Sequence, residues 1–302
     1  MQFNTFCIVA GTENCTARCK WCVASMTPDL GVGKGKAKSI DFRTFEKACQ
    51  LARQSNLDTA RITGKGEPTI FPAQITEYLK LLQPHAFSFV ELQTHGAHMA
   101  FEDRVSRDDM VTWAALGMTH VCISVVSYKR ERNGAHYFAR HPRFKKYFDM
   151  AELIKKLHGM RFNVRLTCIM QKGDIDSAAE LEKFMQWAKK VGADQVTILP
   201  VNKPEDRSRN PAIFDAAMEA MLSDDQLEEI RDYAARGVLL RTLPWGAKIY
   251  DLNGQNLCLN YCLTENPDDD GSRQLIFYPP GTIGYDWQYA GATLYQLPPG
   301  TE

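Results

Sequence analysis

At 302 residues, with 44% hydrophobic and 24% charged, the chain can bury a full core as one large α/β domain, or one domain with a small appendage. Lys and Arg (36) balance Asp and Glu (36), so no whole-protein field steers it toward nucleic acid or membrane, and any charge preference must be local. No run of about eighteen apolar residues and no export signal is present, which gives the expectation of a soluble cytoplasmic protein with no membrane partner.

In chain order, residues 4–10 read as an apolar strand. A loop follows, Glu13-Asn14-Cys15-Thr16-Ala17-Arg18-Cys19-Lys20-Trp21-Cys22, which crowds three thiols into eight residues. A disulfide would leave one thiol over, and a structural zinc site wants a fourth soft ligand nearby, which the flanks do not supply. An iron-sulfur cluster tolerates the arrangement, because three thiolates hold three corners and leave one iron open to a non-protein ligand. An open corner points to catalysis rather than electron storage. With nine cysteines in all, a reducing compartment implies metal, catalysis or burial rather than a disulfide frame.

A Gly/Lys stretch over 31–38 leads into a helix over 40–54 that Asp41 can cap. A strand over 59–63 ends in Gly64-Lys65-Gly66-Glu67-Pro68. Helices are expected over 74–82, 108–116, 144–157 and 176–191, and strands over 87–94, 120–127, 162–170 and 195–201, with a long loop after the strand at 120–127. Six strand-helix repeats argue for parallel strands wrapped by helices, with right-handed crossovers.

Alternation within these strands carries further information. On the fifth, Asn163, Arg165 and Thr167 share one face while Val164, Leu166, Cys168 and Met170 share the other. The apolar set must pack on helices, which turns the polar set inward. Glu91, Gln93 and His95 alternate in the same way on the third strand, as do Gln195 and Thr197 on the sixth. A polar interior is costly unless it binds something, so the lumen reads as a ligand site; a wet, half-exposed sheet is the other reading. Cys7, Cys49, Cys122 and Cys168 fall within expected strands or helices and read as packing.

The CxxxCxxC spacing, with an aromatic residue before the last cysteine, resembles the signature of the radical S-adenosylmethionine (SAM) superfamily. The strand-helix order over about 4–201 resembles its partial six-stranded, TIM-like (β/α) barrel. That resemblance implies a 4Fe-4S cluster on Cys15, Cys19 and Cys22, with SAM chelating the open iron. It also implies reductive cleavage of SAM to a 5'-deoxyadenosyl radical, which abstracts hydrogen from a substrate. Gly64, Gly66, Glu67 and Pro68 stand where the family carries Gly-Gly-Glu-Pro, whose backbone and Glu side chain receive the SAM ammonium; Lys65 replaces one glycine. By the same resemblance Ser124 and Arg165 would meet the ribose hydroxyls and the methionine carboxylate, Trp21 would lie near adenine, and Gln93 joins the cofactor set. Each has a structural alternative: Ser124 satisfying backbone, Arg165 pairing with Glu91, Trp21 filling space. An electron donor such as flavodoxin or ferredoxin is implied, as is oxygen sensitivity.

Loops at the strand ends are basic: Lys34, Lys36 and Lys38, then Lys129, Arg130, Arg132, Arg140 and Arg143, then Arg207 and Arg209. They suit an anionic substrate such as a sugar phosphate or nucleotide, or else form a solvated rim; a nucleic acid is compatible but not favoured. From residue 202 the pattern changes to a Pro, Asp and Arg loop, a helix over 224–235 capped by Ser223, and short β segments including a hairpin over 273–278 and 282–287. This 202–302 region loosely resembles the small α+β twitch or SPASM-like cap of many radical SAM enzymes, without a full auxiliary cysteine set. Cys258 and Cys262 have three readings: buried hydrophobes, hydrogen-atom donors as in radical SAM epimerases, or an incomplete second metal site.

The expected function is hydrogen abstraction from a modest-sized substrate, leading to epimerisation, dehydrogenation or rearrangement. A glycyl-radical activase, a peptide-modifying enzyme, and a structural or sensing iron-sulfur or zinc protein are the alternatives. Glu67 and the polar lumen speak against the last, because a structural cluster needs neither.

Overall fold

The computed structural model describes residues 3–139, 144, 146–204, 207–243, 245–260 and 273–297. Strands β1 (Phe3–Val9), β2 (Thr59–Thr63), β3 (Phe89–Thr94), β4 (His120–Val125), β5 (Asn163–Met170) and β6 (Gln195–Pro200) lie side by side in chain order, all parallel. Between them run helices α1 (Phe42–Gln54), α2 (Pro72–Leu82), α3 (Ala97–Ala100), α4 (Arg107–Ala115), α5 (Arg130–Phe138), α6 (Met150–His158) and α7 (Ala178–Val191). This is the partial barrel that the alternation of strands and helices predicts, and the sheet does not close.

After β6 come α8 (Pro211–Ala220), α9 (Asp224–Ala234), β7 (Val238–Thr242), β8 (Lys248–Leu252) and β9 (Gln255–Leu259), then β10 (Arg273–Tyr278), β11 (Thr282–Gly284) and β12 (Thr293–Gln296). These later strands join the same sheet. β9 pairs parallel with β6 and β10 parallel with β1, so each barrel edge is covered and continued by an antiparallel wing. An uncovered edge presents a row of unpaired backbone groups, and pairing removes that liability.

The sheet separates two interiors. On the helix side Phe6, Ile8, Ile62, Leu92, Val121, Ile123, Val164, Leu166, Val196 and Phe277 are buried in the main core. On the lumen side, Cys7 and Val9 of β1 meet Ile276 and Tyr278 of β10, with Val32 beside them and Trp287 packed against the group. One patch of the lumen is therefore apolar, while Arg61, Glu91, Gln93, Ser124, Arg165, Thr167, Gln195 and Thr197 give β2 to β6 a largely polar face.

Local patterns hold unevenly. Asp41 caps α1 by accepting from the Thr44 N–H at 2.7 Å, and Ser223 forms a capping box with Gln226 on α9. The helix expected over 144–157 starts only at Met150, capped by Asp149, because Phe144, Tyr147 and Phe148 ahead of it are buried in an aromatic cluster. α5 and α8 stand where the sequence pattern reads as loop. The hairpin forms, but its second strand stops at Gly284.

α2 fixes the exit of β1. The Tyr78 hydroxyl donates to the Val9 carbonyl at 3.0 Å, and Gln74 Oε1 accepts from the Gly11 N–H at 2.6 Å. Gly11 has φ +79°, and a Cβ there would lie 2.3 Å from the Phe71 ring. The chain can turn here only without a side chain, and that turn delivers the cysteine loop onto the barrel mouth. Among the described residues no helix is long and apolar enough to cross a membrane.

Candidate active site

The cysteine loop is held from every side. The Glu13 N–H donates to Gly33 O at 2.9 Å, Asn14 Nδ2 to Gly35 O at 3.2 Å, and the Arg18 N–H to Tyr137 O at 3.0 Å. Arg18 also folds its guanidinium back onto the Cys15 and Ala17 carbonyls. Cys15 and Cys19 pack half-buried against the core, and Cys22 precedes a short 3₁₀ turn over Val23–Met26. Burial raises the Cys15 thiol to about 12, with the Glu67 and Cys22 charges adding to the rise; burial and the two neighbouring thiols also raise Cys19. Among the described residues no three His, Cys, Asp or Glu side chains close on one point as ligands of a single ion do. A cube-shaped cluster asks for something different, since each thiolate takes a separate iron at its own corner.

The turn after β2 is pressed against this loop. The Glu67 N–H donates to Asn14 O at 2.9 Å, and a Cβ on Gly66 would lie 2.1 Å from that same oxygen. Gly66 is therefore required by the backbone of the cysteine loop. The carbonyls of Gly64, Lys65 and Gly66 accept no backbone N–H among the described residues. Pro68 is buried and opens a 3₁₀ turn over Pro68–Ile70.

The family resemblance has Glu67 offering its carboxylate to a ligand ammonium, whereas the structure has that carboxylate engaged by protein. Oε1 accepts from the Thr69 N–H and from the hydroxyls of Thr69 and Thr94, while Oε2 accepts from the His95 N–H at 3.0 Å. Burial works to raise its pKa, but His95 and these hydrogen bonds outweigh burial and hold it below the usual range.

A further chain of contacts, which no sequence motif signals, runs behind Cys15. Thr16 Oγ1 lies 2.6 Å from His95 Nε2 and 3.2 Å from His98 Nε2, and His98 Nδ1 lies 2.7 Å from Asp103 Oδ1. His95 Nδ1 accepts from the Ala97 N–H at 3.2 Å, which puts the His95 proton on Nε2. Thr16 then accepts from His95 and donates to His98, whose Nδ1–H donates to Asp103. Burial lowers the His95 pKa, with Glu67 opposing. The chain ties the residue after the first cysteine to the ends of both β2 and β3.

Inside the lumen, Glu91 is shared by two arginines. Its Oε2 accepts from Arg61 Nε at 3.1 Å and from Arg165 Nη2 at 2.6 Å. Burial pushes the Glu91 pKa up, but the two guanidiniums reverse this and hold it at about 2. Cys7 and Cys122 stand within hydrogen-bonding reach of Arg61 and Arg165 respectively, their pKa values raised by burial. These two thiols are buried, as expected, yet they face guanidiniums as well as apolar side chains. Among the described residues this group sets two positive charges against one negative.

The other expected residues surround this feature. Gln93 and Ser124 are half-buried, and Ser124 is in register with Thr167, which is in register with Thr197 and so with Cys258 on β9. The Cys258 thiol is half-buried beside Arg165 and Thr197, its pKa raised by burial with Arg165 opposing. Cys262 lies outside the described residues. Trp21 packs its ring 4.7 Å from His136 and donates from Nε1 to Gln171 at 2.5 Å.

On the rim, Arg132 is paired with Asp174 at 2.6 Å and Arg207 with Asp215 at 2.8 Å, while Arg130 donates to the Tyr147 carbonyl. Part of the basic excess read from the loops is therefore neutralised at home. Arg140 and Arg143 lie outside the described residues.

Solved structures give this architecture a precedent. Native anSMEcpe with bound AdoMet superposes with a TM-score of 0.58 at 12% identity, covering 95% of this chain and 75% of that one. The fold is that of the radical SAM enzymes. Streptococcus suis SuiB bound to S-adenosylmethionine matches at TM-score 0.50 and 12% identity over 93% of this chain and 58% of its own. HydG, a maturase of the [FeFe]-hydrogenase, matches at 0.50 and 9% identity over 78% and 48%. The chain thus spans little more than half the length of SuiB and about half that of HydG. No family model matches the chain, and no curated protein matches it.

The shared carboxylate sets a pH dependence. With its folded pKa at about 2 against an ordinary 4.5, Glu91 stabilises the fold fully above about pH 4.5, and loses that contribution as pH falls toward 2. Glu91→Gln is expected to cost about 3 kcal/mol at pH 7 and to flatten the stability profile between those limits, as read by urea unfolding at several pH values.

Proposed function

We propose that this protein is a radical SAM enzyme that abstracts hydrogen from a modest-sized substrate bearing an anionic group. The reading is carried by the Arg61–Glu91–Arg165 arrangement, which among the described residues sets two guanidiniums against one carboxylate in the wall of a lumen also lined by Gln93, Ser124, Thr167 and Thr197. A charged group away from bulk water attracts a counter-charge strongly, and a guanidinium presents paired N–H donors suited to a carboxylate or phosphate.

The donor set suits an iron-sulfur cluster: three thiols on one tethered loop, soft ligands for iron, with no fourth cysteine in that loop. Cys15, Cys19 and Cys22 would hold three corners. When bound, the cluster supplies the electron that splits SAM into methionine and a 5'-deoxyadenosyl radical, which removes hydrogen from the substrate. The carbonyls of Gly64, Lys65 and Gly66 would accept from the SAM ammonium, with Glu67 bracing the turn that presents them. Trp21, Gln93 and Ser124 remain the candidates for contacts with the adenine and ribose. Arg165 sits with Arg61 on the anion side, so its proposed partner is either the methionine carboxylate or the substrate. An electron donor such as flavodoxin or ferredoxin completes the cycle.

Cys258 supports epimerisation within this reading. Its thiol carries hydrogen at neutral pH and faces the same lumen as the arginine pair. Donating a hydrogen atom to a substrate radical would leave a thiyl, which one electron and one proton restore.

Three measurements test this. Anaerobically reconstituted protein with dithionite and SAM is expected to release 5'-deoxyadenosine, and Cys15→Ala to release none; equal release by the variant overturns the cluster assignment. Inorganic phosphate or a sugar phosphate is expected to raise the thermal midpoint, and Arg61→Met to lose at least half of that shift. For Cys258, product formed in heavy water should carry deuterium, and Cys258→Ala should abolish the labelling.

A further inference from the structure

Lys65 occupies the middle of the Gly64–Lys65–Gly66 turn and is 4% exposed. A lysine is seldom buried to that degree without a counter-ion, because removing an ammonium from water costs several kcal/mol. Its Nζ donates to the carbonyl and the hydroxyl of Thr27, at the end of the short turn that follows Cys22. Among the described residues no carboxylate pairs with it: Glu13, Asp29 and Cys22 act on it as nearby charges, Arg209 opposes them, and none is an ion-pair partner. A buried cation is thus anchored by two neutral oxygens at the edge of a loop carrying three thiols.

We propose that Lys65 is the positioning residue that supplies the counter-charge for the thiolate-held cluster, and that it sets how readily the cluster accepts an electron. The proposal rests on the cluster assignment above and adds a role for the one residue of that turn that is not glycine. The thiolates bring negative charge to the loop, Cys22 near enough to act on the ammonium, and reduction would add one more electron there. A fixed cation stabilises the more negative state more, so it favours the reduced form. Gly64 and Gly66 matter here as well. A Cβ on Gly64 would lie 3.0 Å from Ala10 O, and one on Gly66 2.1 Å from Asn14 O. The turn is therefore flush with the cysteine loop, and Lys65 reaches from it to Thr27.

Lys65→Arg keeps the charge, whereas Lys65→Gln keeps a donor for Thr27 without it. Wild type and both variants are reconstituted anaerobically, iron and sulfide are counted, and the reduced fraction is followed by electron paramagnetic resonance against redox dyes. At a potential that half-reduces the wild type, Lys65→Gln is expected to show a reduced-to-oxidised ratio about tenfold lower, with Lys65→Arg close to wild type. A folded Lys65→Gln that fails to load iron, beside a Lys65→Arg that loads it, equally supports the counter-charge role. The proposal is overturned if Lys65→Gln loads iron and titrates with the wild type, or if Arg and Gln change loading or titration alike. Wild-type protein that takes up no iron-sulfur cluster would instead sink the functional reading itself.

Discussion

The contact on which this site depends is the one between the turn after β2 and the loop that carries the cysteines. Gly66 meets the Asn14 carbonyl where no Cβ fits, and the next N–H, on Glu67, donates to that oxygen at 2.9 Å. A loop with three thiols in eight residues has little structure of its own. Its shape comes from what it is pressed against. Glu67 then passes the constraint on, because its carboxylate gathers Thr69, Thr94 and His95 from the ends of two strands, and His95 reaches back to Thr16 in the loop. Thiol positions, turn and barrel mouth are one hydrogen-bonded unit. Buried networks of this kind stay rigid only while every member is satisfied.

The lumen shows a different balance. On the β1 and β10 side Val9, Ile276, Tyr278 and Trp287 give it an apolar patch, and the shared carboxylate with its two arginines begins on the next strand, where Arg61 is in register with Cys7. A substrate with an anionic end and a carbon skeleton would match both at once. Burying charge is costly, and here the cost is reduced by pairing without being cancelled. The wing strands contribute to this surface: β10 adds to the apolar patch and β9 brings Cys258 to the polar face.

The paired register also accounts for what local patterns reveal and what they hide. Alternation on β5 correctly turns Arg165 away from the helices, and the pairing of Arg165 with Glu91 is one of two partners the sequence allows. That Arg61 joins them, 30 residues before Glu91, is not visible there, because alternation gives a face and never a neighbour. α5 is hidden by a glycine in its middle and few apolar residues, and α8 by its place beyond a Pro and Arg loop. The aromatic cluster of Phe144, Tyr147 and Phe148 looks like the start of a helix until its burial is seen.

By itself, the sequence determined the order of strands and helices, the thiol triplet and the glycines of the turn, since these follow from periodicity, spacing and residue type within short windows. The tertiary structure alone decided that the Glu67 carboxylate gathers Thr69, Thr94 and His95, that Lys65 is buried against the end of the cysteine loop, and that β10 pairs with β1 across most of the chain. Each of those outcomes depends on groups far apart in sequence competing for the same hydrogen bonds and the same space, and no local window contains both competitors.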